Sequence, residues 1–127
     1  MNQVIISVGS NIEPDKNIAK AREILAKDFE VVAETDFIST KPVGYTQQPD
    51  FLNGAVLIRT DLKLEPLRQH LRKIEDTLGR RRTILKFGPR TVDLDIVVWN
   101  GKLLDPDFYE RDYLKKAVLE LMPDLKY

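Results

Sequence analysis

Gly88-Pro89-Arg90-Thr91-Val92-Asp93-Leu94-Asp95-Ile96-Val97-Val98-Trp99 begins as a loop and ends as the last strand of the expected sheet. Glycine and proline punctuate its start, and Ile96 to Trp99 is an unbroken apolar run rich in strand-forming residues. Side chains alternate along a strand, so Asp93 and Asp95 point the same way, about 7 Å apart. Two carboxylates at the head of a buried strand repel each other and resist desolvation unless a cation lies between them. A divalent metal ion or a phosphate-gripping arginine is the expected partner. A solvent-facing pair, or a plain ion pair with Arg90, is the simpler reading of a bare Asp-x-Asp.

The stretch before this strand supplies the arginines. Residues 72 to 90 carry seven basic side chains against Glu75 and Asp76, a local charge of +5 in a chain of net charge zero. Such a run is most often a solvated face. This one is internal, contains Gly79, Gly88 and Pro89, and separates a helix pattern from a strand pattern. It reads as an anion-gripping loop. The helix before it follows from Leu64, Leu67, Leu71, Ile74 and Leu78, with Gly79 as its stop.

Further upstream, Val4 to Val8 reads as a strand closed by Gly9-Ser10-Asn11. Pro14 and Asp15 suit a first helical turn, and Ile18, Ala21, Ile24 and Leu25 predict an amphipathic helix over 14–27. A strand is expected over 29–39, a loop over 41–50 with two prolines and a glycine, and a strand over 51–60. Residues 108–121 have mixed helical character. The order is β-α-β-β-α-β plus a tail, which predicts an α+β, ferredoxin-like fold: an antiparallel sheet with two helices on one face and a short C-terminal extension.

At 127 residues the chain is expected to form a single domain, 1–127, with a core that needs no staples. It has no cysteine, hence no disulfide and no thiolate chemistry. Twenty basic residues balance twenty acidic ones, so overall charge suggests neither nucleic-acid nor membrane binding. The first eight residues do not resemble a signal peptide, and no apolar stretch reaches membrane-spanning length. A soluble, cytoplasmic monomer is the expectation.

Gly79-Arg80-x-Arg82 followed by Gly88-Pro89-Arg90-Thr91-x-Asp93-Leu94-Asp95-Ile96 resembles the signature of 6-hydroxymethyl-7,8-dihydropterin pyrophosphokinase. Val8-Gly9-Ser10-Asn11-Ile12, Thr40-x-Pro42-Val43-Gly44 and Phe51-x-Asn53 agree with that family in order and spacing. The resemblance covers most of the chain up to about Trp99. It implies transfer of pyrophosphate from ATP to the hydroxymethyl arm of a reduced pterin, with release of AMP, in folate biosynthesis. It also implies two magnesium ions held by Asp93 and Asp95.

By the same resemblance Arg80 and Arg90 join Asp93 and Asp95 as catalytic residues. Glu75, Arg82, Phe87, Arg90, Ile96 and Arg111 would meet ATP. Thr40, Pro42, Val43, Phe51, Asn53 and Tyr113 would meet the pterin, with Phe51 and Tyr113 stacking on its two faces and Asn53 reading its edge. Arginine suits the bidentate grip on phosphate, and magnesium suits carboxylates combined with phosphate oxygens and water. Phe51 and Tyr113 could equally be core residues, and Glu75 could pair with a loop arginine. His70 lies among leucines at helical spacing and reads as a helix-face residue.

The C-terminal third departs from the family pattern. Asp105 stands where the family carries a histidine, the connection after Trp99 is shorter, and Phe87 replaces a tryptophan. An anion in place of a possible cation is expected to weaken the hold on ATP. A non-catalytic pterin-binding relative is the alternative, and an RNA-binding module of the same fold a weaker one, since no strand carries the aromatic motif that stacks bases.

Overall fold

The computed structural model describes residues 1–79 and 90–127. Along the chain run strand β1 (Asn2–Ser10), helix α1 (Pro14–Asp28), strands β2 (Glu30–Glu34), β3 (Ile38–Thr40) and β4 (Phe51–Thr60), and helix α2 (Leu64–Thr77). Strands β5 (Asp93–Trp99) and β6 (Lys102–Leu103) and helices α3 (Asp107–Glu110) and α4 (Asp112–Leu121) complete it. The sheet order is β2-β4-β1-β5-β6, and β3 also pairs with β4. All these pairings are antiparallel.

The strand expected over 29–39 is divided in two. β2 pairs with Val56–Arg59 and β3 with Phe51–Asn53, so both lie along β4. Between them Thr35 turns inward. Its backbone N–H donates to Ala55 O at 3.0 Å, and its hydroxyl accepts from Ala55 N at 3.0 Å. The hydroxyl thus replaces a ladder carbonyl where the chain leaves regular pairing.

The β5–β6 hairpin is an addition to the expected elements. Asn100 and Gly101 both have positive φ, 48° and 80°, which is what a two-residue type I′ turn demands. The pair is the residue combination that tolerates it best.

Alternation sends β1 to two different cores. Val4, Ile6 and Val8 pack with Val56 and Ile58 of β4, Leu94 and Ile96 of β5, and the inner stripes of α1 and α2. Ile5 points the other way, to Ala55, Leu57, Val97, Val98, and the apolar side of the C-terminal helices at Phe108, Leu114 and Val118. The expected α+β sheet with α1 and α2 on one face is therefore present. The tail is more than an appendage, because α3 and α4 cover part of the opposite face. A register shift opposite Ile5/Ile6 lets both Val97 and Val98 of β5 join this second core. Among the described residues, no helix is long and apolar enough to cross a membrane.

Candidate active site

The second face is covered only over part of its length, and a cleft occupies the rest. Phe108 and Val118 shield Ile5 and Val97. Further along β1, the positions on that side are Ser7 and Gly9, too small to fill the space, and both line the cleft. Register places Gly9 between Asn53 of β4 and Asp93 of β5, and Ser7 between Ala55 and Asp95. A side chain on Gly9 is excluded by close approach: a Cβ there would lie 2.5 Å from Asn53 Oδ1. Asn53 crosses over that bare backbone and donates through Nδ2 to Thr40 Oγ1.

The cleft has two chambers. One is walled by Thr40, Lys41 and Val43, by Phe51 and Asn53, and by Tyr113 and Leu114 of α4. It offers two aromatic rings, one amide and loop backbone, a set suited to a flat, edge-functionalised ring. The other wraps around the outer edge of β5 and is walled by Arg68, Leu71, Arg72 and Glu75 of α2, with Ile96, Leu104 and Pro106. Arg90, Asp93, Asp95, Asp105 and Asp107 line both. The carboxylates are the seam between the chambers.

Acidic side chains crowd this seam. Arg90 Nη1 meets Asp93 Oδ2 at 3.1 Å. Asp95 is exposed to the cleft, yet the cleft walls and its neighbours surround it. Its carboxyl is pushed up to about 8, first by burial, then by the charges of Asp93, Asp105 and Glu75. Asp105 is also held above the usual carboxylate range, chiefly by burial, while the Asp107 backbone N–H and Arg111 act the other way. Its Oδ1 accepts from Asp107 N at 2.9 Å, at the entry to α3.

Glu75 has a further role in shaping the seam. It is 3% exposed, and its Oε2 accepts from Leu94 N at 2.8 Å. β6 pairs only with Val98 and Trp99, so no described strand flanks the outer edge of β5 at Leu94. A carboxylate from α2 serves that amide in place of a strand carbonyl. The residue it anchors stands between Asp93 and Asp95.

The residues singled out from the sequence are largely brought together. Thr40, Val43, Phe51, Asn53 and Tyr113 converge in the first chamber, Glu75 and Ile96 in the second, and Arg90, Asp93 and Asp95 at the seam. Arg111 joins the first chamber, and Pro42 is not among the residues that line either one. Arg80, Arg82 and Phe87 lie outside the described residues. His70 is held away from the cleft, with Nε2 at 2.8 Å from Asp28 Oδ2 and its ring edge-on to Phe29. Sequence reading missed Arg68, and it counted Arg72 only within the basic run over 72–90. They lie two turns and one turn before Glu75 on the same helix face, and that spacing was the available signal.

Among the described residues, no group of three or more His, Cys, Asp and Glu side chains is arranged to hold a metal. The aspartate pair instead has the donor chemistry for a hard cation that keeps water and substrate oxygens in its shell. The burial of Asp95 among other acids points the same way.

An antiparallel α+β sheet, with an aromatic chamber joined to a second one through a carboxylate seam, defines a small-molecule site. Residues 5–123 match the family model described as 7,8-dihydro-6-hydroxymethylpterin-pyrophosphokinase. The chain belongs to that family. It is 37% identical over 131 residues to a folate synthesis bifunctional protein of Arabidopsis thaliana, a match covering 97% of this chain and 27% of that protein. It is 34% identical to a 2-amino-4-hydroxy-6-hydroxymethyldihydropteridine pyrophosphokinase of Bacillus subtilis, covering 94% of this chain and 78% of the relative. The enzyme of the same name from Pseudomonas aeruginosa is 32% identical, with 99% and 84% covered. The chain thus spans about a quarter of the plant protein and most of each single-function bacterial one.

Proposed function

We infer that this chain is an ATP-dependent pyrophosphokinase of folate biosynthesis. It transfers a diphosphoryl group from ATP to the hydroxymethyl oxygen of 6-hydroxymethyl-7,8-dihydropterin and releases AMP. The observation that carries this reading is the meeting of two chambers at Asp93 and Asp95. The hydroxymethyl oxygen forms a bond to the β-phosphorus of ATP, the bond from that phosphorus to the α-bridging oxygen breaks, and the hydroxyl proton leaves to solvent. No nucleophilic side chain is required, in keeping with a chain that has no cysteine.

The protein's own residues orient and neutralise. Phe51 and Tyr113 hold the pterin ring between them, Asn53 and the loop at Thr40 and Val43 read its edge, and its hydroxymethyl arm points toward the seam. Ile96 and the α2 side of the second chamber receive the nucleotide. Arg90, with Arg80 and Arg82, gathers phosphate charge, and Arg111 adds a further cation. Asp93 and Asp95 would hold magnesium, two ions in this reading, which supplies charge neutralisation and alignment of the phosphates. The chain acts as a monomer in this reading.

The test is direct. Incubation with ATP, magnesium and 6-hydroxymethyl-7,8-dihydropterin is expected to yield AMP and the pterin diphosphate in equal amounts. A variant with Asp93→Ala and Asp95→Ala should give background AMP only. If wild type and variant yield the same AMP, the reading is overturned, and pterin binding without turnover would identify a non-catalytic relative.

A further inference from the structure

Asn11 lines neither chamber, and its hydrogen bonds run to Arg90, which lines both, and to Gln48 and Pro49 in the loop that leads to Phe51. It is 3% exposed. Its backbone N–H donates to Arg90 O at 3.1 Å, and its side-chain Oδ1 accepts from Arg90 N at 2.8 Å. Its Nδ2 donates to Pro49 O at 3.0 Å and to Gln48 Oε1 at 2.8 Å. The amide orientation is fixed by its partners, because a backbone N–H can only donate and a proline carbonyl can only accept. Gln48 is fixed in turn, since its Nε2 donates to Tyr45 O at 2.6 Å.

These bonds join segments that lie far apart in sequence. Residues 41–50 connect Thr40 to Phe51, both in the wall of the first chamber. Arg90 lines both chambers and carries the guanidinium that meets Asp93 at 3.1 Å. Asn11 therefore holds the loop of the pterin chamber and the main chain of a phosphate-gripping arginine in one fixed relation. Transfer chemistry depends on such relations, since an error of about 1 Å in placement can cost on the order of 100-fold in rate.

We propose that Asn11 is a positioning residue that sets the pterin loop and Arg90 relative to each other, through opposite ends of a single amide. The two ends can be separated by mutation. Asn11→Asp keeps an oxygen for the Arg90 N–H but removes the donors, so Gln48 Oε1 and Pro49 O face a carboxylate. Gln48 can answer only by giving up its bond to Tyr45. Asn11→Ala removes both ends at once.

This proposal rests on the pyrophosphokinase reading, and its test uses two independent measurements on the full chain. Calorimetry with 6-hydroxymethyl-7,8-dihydropterin reports the pterin side, and KM for ATP in the AMP-release assay reports the phosphate side. Asn11→Asp is expected to weaken pterin binding about tenfold, the equivalent of about 1.4 kcal/mol, with KM for ATP within about twofold of wild type. Asn11→Ala should shift both by about tenfold or more. A merely structural role would lower the melting temperature and the active fraction without this split. Equal shifts in both constants for Asn11→Asp, or wild-type constants for Asn11→Ala, overturn the proposal. If Asn11→Ala does not fold, Gln48→Ala removes one of the two loop-side bonds and leaves those to Pro49 and Arg90. It is then expected to weaken pterin binding by less than Asn11→Asp, with KM for ATP within about twofold of wild type, and an equal shift in both constants overturns the proposal. Failure of the wild type to form AMP would count against the functional reading, whereas the pterin calorimetry would still judge Asn11.

Discussion

The two faces of the sheet use the same strands to opposite ends. On one, Val4, Ile6 and Val8 of β1 are buried in sequence beneath α1 and α2, and the apolar layer is continuous. On the other, Ile5 is buried beneath α3 and α4, but Ser7 and Gly9 are left to line a cleft. The covered face provides stability, at about 1.5–3 kcal/mol for each large apolar side chain removed from water. The other face keeps its polar groups at the place where cover stops. A site here needs no special fold, only a second layer that is shorter than the sheet it packs on.

Phe108 is the sharpest way to break this contrast. It is fully buried and anchors the partial cover. Phe108→Ala is expected to cost about 3–5 kcal/mol in urea unfolding, and to weaken pterin binding through displacement of Tyr113 on the adjoining α4. A loss of stability with unchanged pterin affinity would show that the cover and the chamber wall are independent.

Asp95 tests the open end. Asp95→Asn should lower kcat/KM by about 100- to 1,000-fold, the scale of removing one preorganised electrostatic group. It should also change the response of folding to pH. With its carboxyl raised to about 8, the native state keeps a proton that the unfolded chain has already lost. Metal-free protein is therefore expected to lose stability as pH rises from the ordinary aspartate range toward 8. Saturating magnesium, or Asp95→Asn, should flatten that slope in thermal melts. A slope unchanged by either would mean that Asp95 is not the group responsible.

Glu75 bridges the two faces, since it is buried under the covered side and anchors the strand that carries the acids. Glu75→Leu leaves Leu94 N–H without its acceptor, which costs about 1–3 kcal/mol, and should lower kcat more than KM for the pterin. Equal effects on both would argue against a role in placing the aspartates. The smallest effect belongs outside both cores. Arg22 and Glu34 form a paired contact at 2.6 Å on the surface, which lowers the Glu34 pKa through its hydrogen bond to Arg22. Arg22→Ala is expected to change stability by well under about 1 kcal/mol, with activity intact in the AMP assay.

Much of this could be read from local pattern. The helical stripes of α1 and α2 and the alternation of β1 and β4 are signals carried within one element, so α1, expected over 14–27, is found at Pro14–Asp28. Asp93 and Asp95 share a face for the same reason. What local pattern did not carry were features that depend on a distant partner. The break at Thr35 exists because the Ala55 N–H donates to its hydroxyl in place of a ladder carbonyl. The role of Glu75 exists because β6 is too short to flank Leu94. β6 itself was signalled by Asn100-Gly101, a turn pair whose positive φ values only a hairpin explains.

The amino-acid sequence by itself determined the order of elements, the like-facing aspartates and the family motifs, because each rests on spacing along one chain segment. Only the tertiary structure decided that the C-terminal helices cover part of a sheet face, that Asp105, singled out from the sequence as an anion near ATP, stands beside Asp93 and Asp95, and that Asn11 ties loop 41–50 to Arg90. Those are relations between segments 37 to 79 residues apart at Asn11 alone. They are set by packing and by the requirement that buried polar groups find partners.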